Sequence, residues 1–377
     1  MARKGGKDRG VRERPKGTGK WWASCAAAAL CSFFLSGCLE WSTDSQGNLK
    51  SAGLPGVPLW TAAQPSSISP HDALRAAELV ADVNGTSPWL AELNKWREMA
   101  GLRPVGENAG LSAGSQEHAR YLVANGPSDP EAFRNRGSTL GAGMHREASD
   151  GASYSEKGAE AARGGRLTPG VMQTADVAFG RDPIDDIDEW LVAPFHRLSL
   201  LAPWAEVAGY GSFGTYPRRV GALALRGLAH AGEVSEVEFP PDGSVIAIDA
   251  MRRPEWPNPL SVCVGYSLPV GLPVSLQLGD GRAAQLASYT LRDETQNRQL
   301  QSCGFDGDSY GNPNPAEQRA GRDGLNGFGA LVVIPRYPLQ IGHRYAVSIV
   351  ARGKHYDWTF RIEGNPATAG AESAEAR

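Results

Sequence analysis

Cysteine is scarce in this chain, and the short motifs that announce chemistry are missing. Of five cysteines in 377 residues, three (Cys25, Cys31 and Cys38) fall within the first 38. There is no Cys-x-x-Cys pair, which removes zinc ribbons and thioredoxin-like redox sites. No P-loop or His-Glu-x-x-His occurs, so P-loop NTPases and zincin proteases are excluded. Positive charge is not in excess either. The net charge is −3 and no basic stripe runs through the body of the chain, which argues against nucleic acid as a partner.

What positive charge there is gathers at the N-terminus. Residues 1–20 hold eight Lys or Arg against Asp8 and Glu13, and the next 16 residues (WWASCAAAALCSFFLS, 21–36) are uncharged. A basic region before a short apolar one is the pattern of an export signal, and the run is short of the roughly 20 residues that span a bilayer. Leu35-Ser36-Gly37-Cys38 resembles the lipobox of bacterial lipoproteins, which implies cleavage after residue 37 and a lipid on Cys38. Leu39, where that family uses aspartate for inner-membrane retention, leans the resemblance to the outer membrane. Acyl chains in pairs give stable attachment, so the expected location is the cell envelope and the expected partner is the membrane. Residues 1–37 carry +8 and −2, a net of +6, so the mature chain is −3 −6 = −9. Cys263 and Cys303 then remain, and in an exported protein such a pair reads as a disulfide, the alternative being two buried thiols.

Residues 38–69, rich in Ser, Gly and Pro, read as the lipid anchor and a flexible tether. Residues 70–250 carry helical spacing. Helices are expected over 71–83, from Pro88 to Gly101, from Ser112 to Gly126 and around 155–163. Strands are expected over 207–213 and 220–228, with shorter ones at 234–239 and 245–250. Between 127 and 170 the pattern breaks into Gly-, Arg- and Ser-rich loops. Asp182–Val192 is an amphipathic helix with Asp182 as cap, Pro183 in its first turn and Ile184, Ile187 and Leu191 on one face. Pro194 stops it, leaving His196 in a stiff turn. From residue 251 to 363 the period becomes two, with about seven strands, the first at Leu260–Val264 and the fourth at Leu300–Cys303. Residues 364–377 form a polar tail.

Four stretches together resemble the CAP superfamily (cysteine-rich secretory proteins, antigen 5, pathogenesis-related 1), in its bacterial, cysteine-poor branch. They are Leu93-Asn94-x-x-Arg97 with Gly101-Leu102; Leu111-Ser112 to His118-Ala119-x-Tyr121-Leu122; Trp190-Leu191-x-x-Pro194-x-His196-Arg197; and Val207-x-Gly209-x-Gly211. The resemblance implies an α+β protein: an α-β-α sandwich in 70–250 with a groove of histidines and acids. By position His145 and His196 match the groove histidines. Of the acids, one survives as Asp176, the other is replaced by Ala193, and Glu147 beside His145 is a candidate substitute. Two imidazoles and a carboxylate would suit a divalent metal such as Zn²⁺. His118 reads as a packing histidine, and His71, His230, His343 and His355 as structural.

Asp306-x-Asp308-x-Tyr310-Gly311-Asn312 to Glu317 partly matches a calcium loop, but Tyr310, Pro313 and Pro315 point to a solvated loop. Pro338-Leu339-x-x-Gly342-x-x-Tyr345-x-Val347 resembles the corner of an immunoglobulin-like module, so 251–363 is expected to be an all-β sandwich of that kind. The expectation is a non-enzymatic envelope binding protein with a small apolar or envelope ligand in the His145/His196 groove. A metal-assisted hydrolase at the same groove and a structural or adhesion module are the alternatives.

Overall fold

Proline placed directly after an Asx residue opens helices repeatedly in this chain. The computed structural model describes residues 40–43, 49–53, 87–168, 171–228 and 236–364. Asp129-Pro130, Asp182-Pro183, Asn258-Pro259 and Asn314-Pro315 each start a helical segment, and each Asx side chain accepts a backbone amide one or two residues past the proline. The proline loses nothing there, because its missing N–H would have had no partner, and the Asx oxygen satisfies one that would.

The chain divides into two compact units, residues 1–67 and 68–377. In the first, strands β1 (Glu40–Thr43) and β2 (Leu49–Gly53) pair antiparallel, inside the stretch expected to be an irregular tether. Cys38 and the expected helix over 71–83 lie outside the described residues.

In the second unit, residues 87–228 build a five-stranded sheet in the order β3-β6-β7-β5-β4, with ranges Gly106–Glu107, Ala205–Thr215, Arg218–Leu228, Val171–Ala178 and Gly165–Thr168. Helix α2 (Ala109–Ala124) lies against one face. A Cβ on Gly209 or Gly211 would come within 2.3 Å of its backbone, so these two β6 glycines allow the contact. On the other face Gly221 admits Asp186 of α5 (Pro183–Val192) in the same way. Helix α1 (Pro88–Met99) adds Trp89, Leu93 and Trp96 to the core beside Ile187 and Trp190. The short α4 (Glu156–Ala161), capped by Ser155, packs on α2.

Residues 236–364 form two antiparallel-rich sheets. One has the order β15-β16-β12-β8 (Ser302–Asp306, Ala330–Pro335, Val274–Gln277, Val237–Phe239). The other has β14-β13-β17-β18-β9 (Arg298–Gln299, Leu286–Asp293, Arg344–Ala351, Lys354–Ile362, Val245–Ile246), its last pair parallel. A two-stranded ribbon, β10 (Ala250–Met251) with β11 (Val270–Gly271), belongs to the same half. Cys263 and Cys303 form a disulfide with Cα atoms 5.7 Å apart, worth about 4 kcal/mol for a loop of this length in the chain-entropy model.

The halves share one hydrophobic core. Trp96 meets Phe239 at 6.1 Å between ring centroids, and Trp204 stacks on Phe328. Arg197 is fully buried across the junction: it donates to the Pro273 carbonyl at 2.6 Å and lies 4.2 Å from the Phe239 ring centre.

Several local expectations are corrected. The segment 127–170 contains helix α3 (Pro130–Leu140) and a 3₁₀ turn (Gly141–His145), hidden in sequence by glycine and by a polar helix surface. Ser112 does not cap α2: Asn108 does, and Ser112 donates to Glu107. The expected strand at Leu260–Val264 is a 3₁₀ turn (Pro259–Val262), because Asn258-Pro259 nucleates helix there. The fourth strand lies two residues later than expected, at Ser302–Asp306. The calcium-like stretch is no solvated loop. Tyr310 is buried, Asn314 caps helix α7 (Pro315–Phe328), and Gly321 leaves room for the Tyr310 ring.

Candidate functional site

Pro194 does not leave His196 in a turn; it opens a second helix, α6 (Pro194–Leu200), one residue after α5 ends. Yet this proline start has no Asx before it. Ala193 has no side chain to cap with. The carboxylate comes instead from Glu255, 60 residues on, which accepts the Phe195 amide at 3.2 Å and the His196 amide at 3.4 Å. Glu255 is buried, and desolvation pushes its carboxyl up to about 7 against the pull of His196, the two amides and Arg197.

His196 sits in the first turn of α6, its Nδ1 2.9 Å from Asp176 Oδ1 on β5. Burial works against the charged imidazole, but the Asp176 bond and charge, helped by Glu255, outweigh it and raise its pKa. Asp176 is 2% exposed, and burial raises its carboxyl despite His196. Its Oδ2 has no hydrogen bond of good geometry, and the Ser199 side chain favours the charged carboxylate. With Nδ1 engaged, the other ring nitrogen of His196 is left for a ligand.

His145 ends the 3₁₀ turn. Desolvation, with the His196 and His118 rings close by, holds its pKa far below the usual histidine range, so it is a neutral donor–acceptor at any physiological pH.

Both histidines line a cleft of 620 Å³, within the range of about 300–1,000 Å³ usual for small-molecule sites. Residues of α3 and the 3₁₀ turn form one side and α5 another. The segment Met251–Trp256, part of the second half, closes the third. That strap is tied down three ways. Glu255 holds the α6 amides, Arg253 pairs with Glu189 of α5, and the Trp256 indole occupies the space a Cβ on Gly141 would take. Burial raises Glu189 to about 7 in spite of Arg253.

Not every expected residue reaches the cleft. Glu147 turns the other way: its carboxylate meets His118 Nδ1 at 2.9 Å and accepts the Ser155 amide. His118, expected only to pack, is therefore half of a sealed pair, and its Nε2 donates to the Met144 carbonyl. Asp176 stands behind His196 rather than in the lining. Among the described residues no group of three or more His, Cys, Asp or Glu converges as a metal site would. Glu147 is engaged by His118 and Asp176 by the His196 ring, so neither acid stands with the two imidazoles in the cleft lining.

Glu255 and the strap were missed from sequence. The available signal was negative: a helix-starting proline whose preceding residue cannot cap.

Tyr210, Arg219 and Asp186 form a second buried network under the α5 side of the sheet. Asp186 Oδ2 accepts from Tyr210 at 2.6 Å and Arg219 at 2.8 Å, and burial raises its carboxyl to about 6 even so. It anchors α5, and so the cleft wall, to β6 and β7.

No curated protein matches the chain. Residues 90–220 match the model of CAP, the cysteine-rich secretory protein family. The match covers α1 through the start of β7 and includes His118, His145, Asp176 and His196, while the strap with Glu255 lies outside it. The α+β half that carries the cleft histidines is a CAP domain.

Proposed function

We propose that the protein is an exported, lipid-anchored envelope protein whose CAP domain binds a small ligand in the cleft between α5, His145, His196 and the strap. The observation that carries this reading is the preformed cleft itself, with two imidazoles at hand and walls fixed by buried hydrogen bonds. Its described lining residues include no serine, threonine or cysteine to serve as a nucleophile, which favours binding over covalent chemistry.

In this reading the helices on both faces of the five-stranded sheet make the α-β-α sandwich of the family. The second half is an immunoglobulin-like sandwich whose role is to hold the strap. A tyrosine corner supports that assignment: at the start of β17, the Tyr345 hydroxyl accepts the Gln340 amide at 2.6 Å. Cys38 carries the lipid. Cys38→Ser should release the chain from membranes, and undiminished membrane retention would refute the anchor.

The binding reading is tested by native mass spectrometry of the Cys38→Ser chain after incubation with a cell-envelope extract. A bound species on the parent, lost in Ala193→Trp because the indole fills the cleft, is expected. An extract that leaves nothing on the parent would overturn it.

A further inference from the structure

Five carboxylates and three guanidiniums line the cleft, interleaved with apolar surface. That mixture selects among ligand classes. A hydrocarbon filling the space would strip water from these groups and return no hydrogen bonds, at a cost of about 1–3 kcal/mol for each polar group, more for charged ones. An anion meets the carboxylates, and a simple cation meets the guanidiniums. A hydroxyl is served by both, since it donates to a carboxylate and accepts from a guanidinium or an imidazole N–H.

We propose that the ligand is a carbohydrate, a neutral polyhydroxylated ring system with its apolar face on Trp256 and its hydroxyls shared among Glu189, Glu255, Arg253 and His196. This rests on the binding reading above and names its ligand class. Trp256 is half-buried and lines the cleft. Gly141 (φ +49°) is what lets the indole sit there, since a Cβ would lie 2.5 Å from Nε1. An indole face offers the C–H face of a sugar ring a broad apolar contact at little entropic cost. Around it, Glu189 and Arg253 supply an acceptor and donors already paired with each other. Glu255 is fixed by the α6 amides, and His196 keeps one ring nitrogen for the cleft.

Three of these five residues, Arg253, Glu255 and Trp256, come from the strap and lie beyond the segment that matches the family. The ligand class is accordingly a property of this chain's two-part architecture. A CAP half without its strap would keep the histidines and lose the sugar-binding wall.

The test is isothermal titration of the Cys38→Ser chain with cellotriose, maltotriose and triacetylchitotriose, and separately with undecanoate. We expect saturable one-to-one binding of at least one trisaccharide and none of undecanoate. Trp256→Ala should weaken that binding at least tenfold, and Trp256→Phe, which retains a stacking face, should retain most of it. Glu255→Gln, which can still accept an amide and so keep α6 capped, should weaken it severalfold with the melting temperature nearly unchanged. Saturation by undecanoate with no response to the sugars overturns the carbohydrate assignment and leaves the binding reading standing. Sugar binding unaffected by both Trp256→Ala and Glu255→Gln overturns the assigned wall. Failure of every probe, together with an empty protein after the envelope extract, sinks the binding reading itself.

Discussion

Two histidine–carboxylate pairs of the same length, 2.9 Å, sit in the CAP half, and only one faces the cleft. In the His118–Glu147 pair the side chains are 2% and 0% exposed, the second ring nitrogen is spent on the Met144 carbonyl, and the second carboxylate oxygen on the Ser155 amide. That pair ties α2 to the loop before α4. In the His196–Asp176 pair the ring is 19% exposed, and its outer nitrogen is unspent. The chemical groups are alike; what separates a fold tie from a binding group is whether the protein supplies the last hydrogen bond. The same lesson holds at the helix starts, where Asp182 caps its own helix but Ala193 leaves the task to a distant carboxylate.

The largest expected effect breaks the sealed pair. Glu147→Ala leaves the buried His118 without its charge partner and should cost about 3–5 kcal/mol in chemical denaturation. His196→Ala should cost less, about 1–3 kcal/mol, because the ring is part-exposed and Asp176, whose pKa is already raised, can take up a proton. Envelope-ligand binding should vanish in His196→Ala. Equal stability losses in the two variants would erase the distinction drawn here.

A pH series sharpens it further. Asp186 is raised to about 6, and Glu189 and Glu255 to about 7, all above their unfolded values. A raised folded pKa contributes stability below the unfolded pKa that is lost as pH climbs through the folded one. The melting temperature should therefore be higher at pH 5 than at pH 8, with the fall between about 5 and 8. A flat profile across that window contradicts the burial of these three carboxyls. The smallest effect belongs to Arg253→Ala. Its side chain is 50% exposed, so losing the Glu189 pair should change stability by less than about 1 kcal/mol, even though it opens one side of the cleft.

Much of the CAP half was legible because its signals are local. Asp182, Pro183 and the Ile184–Ile187–Leu191 stripe lie within one helix, and the Gly209/Gly211 spacing marks a close helix approach on one strand face. Glycine hid what remained. Helix α7 carries Gly321, Gly324 and Gly327, which blur a 3.6 period, although Asn314-Pro315 announced its start. His196 and Asp176 were named without their bond, since β5 and α6 meet only in the folded sheet. Glu147 was placed with His145 because the two stand close in sequence. The 3₁₀ turn ending at His145 sends the two side chains apart. Glu255 lay beyond reach, because a cap supplied across 60 residues leaves no periodic trace.

The most direct test of the central claim is a histidine-selective NMR titration of the Cys38→Ser chain with a protein-free envelope extract, following the ring protons of His118, His145 and His196. The account predicts that His145 and His196 shift together and saturably while His118 stays put. Movement of His118 alone, or no movement of His196, would contradict it.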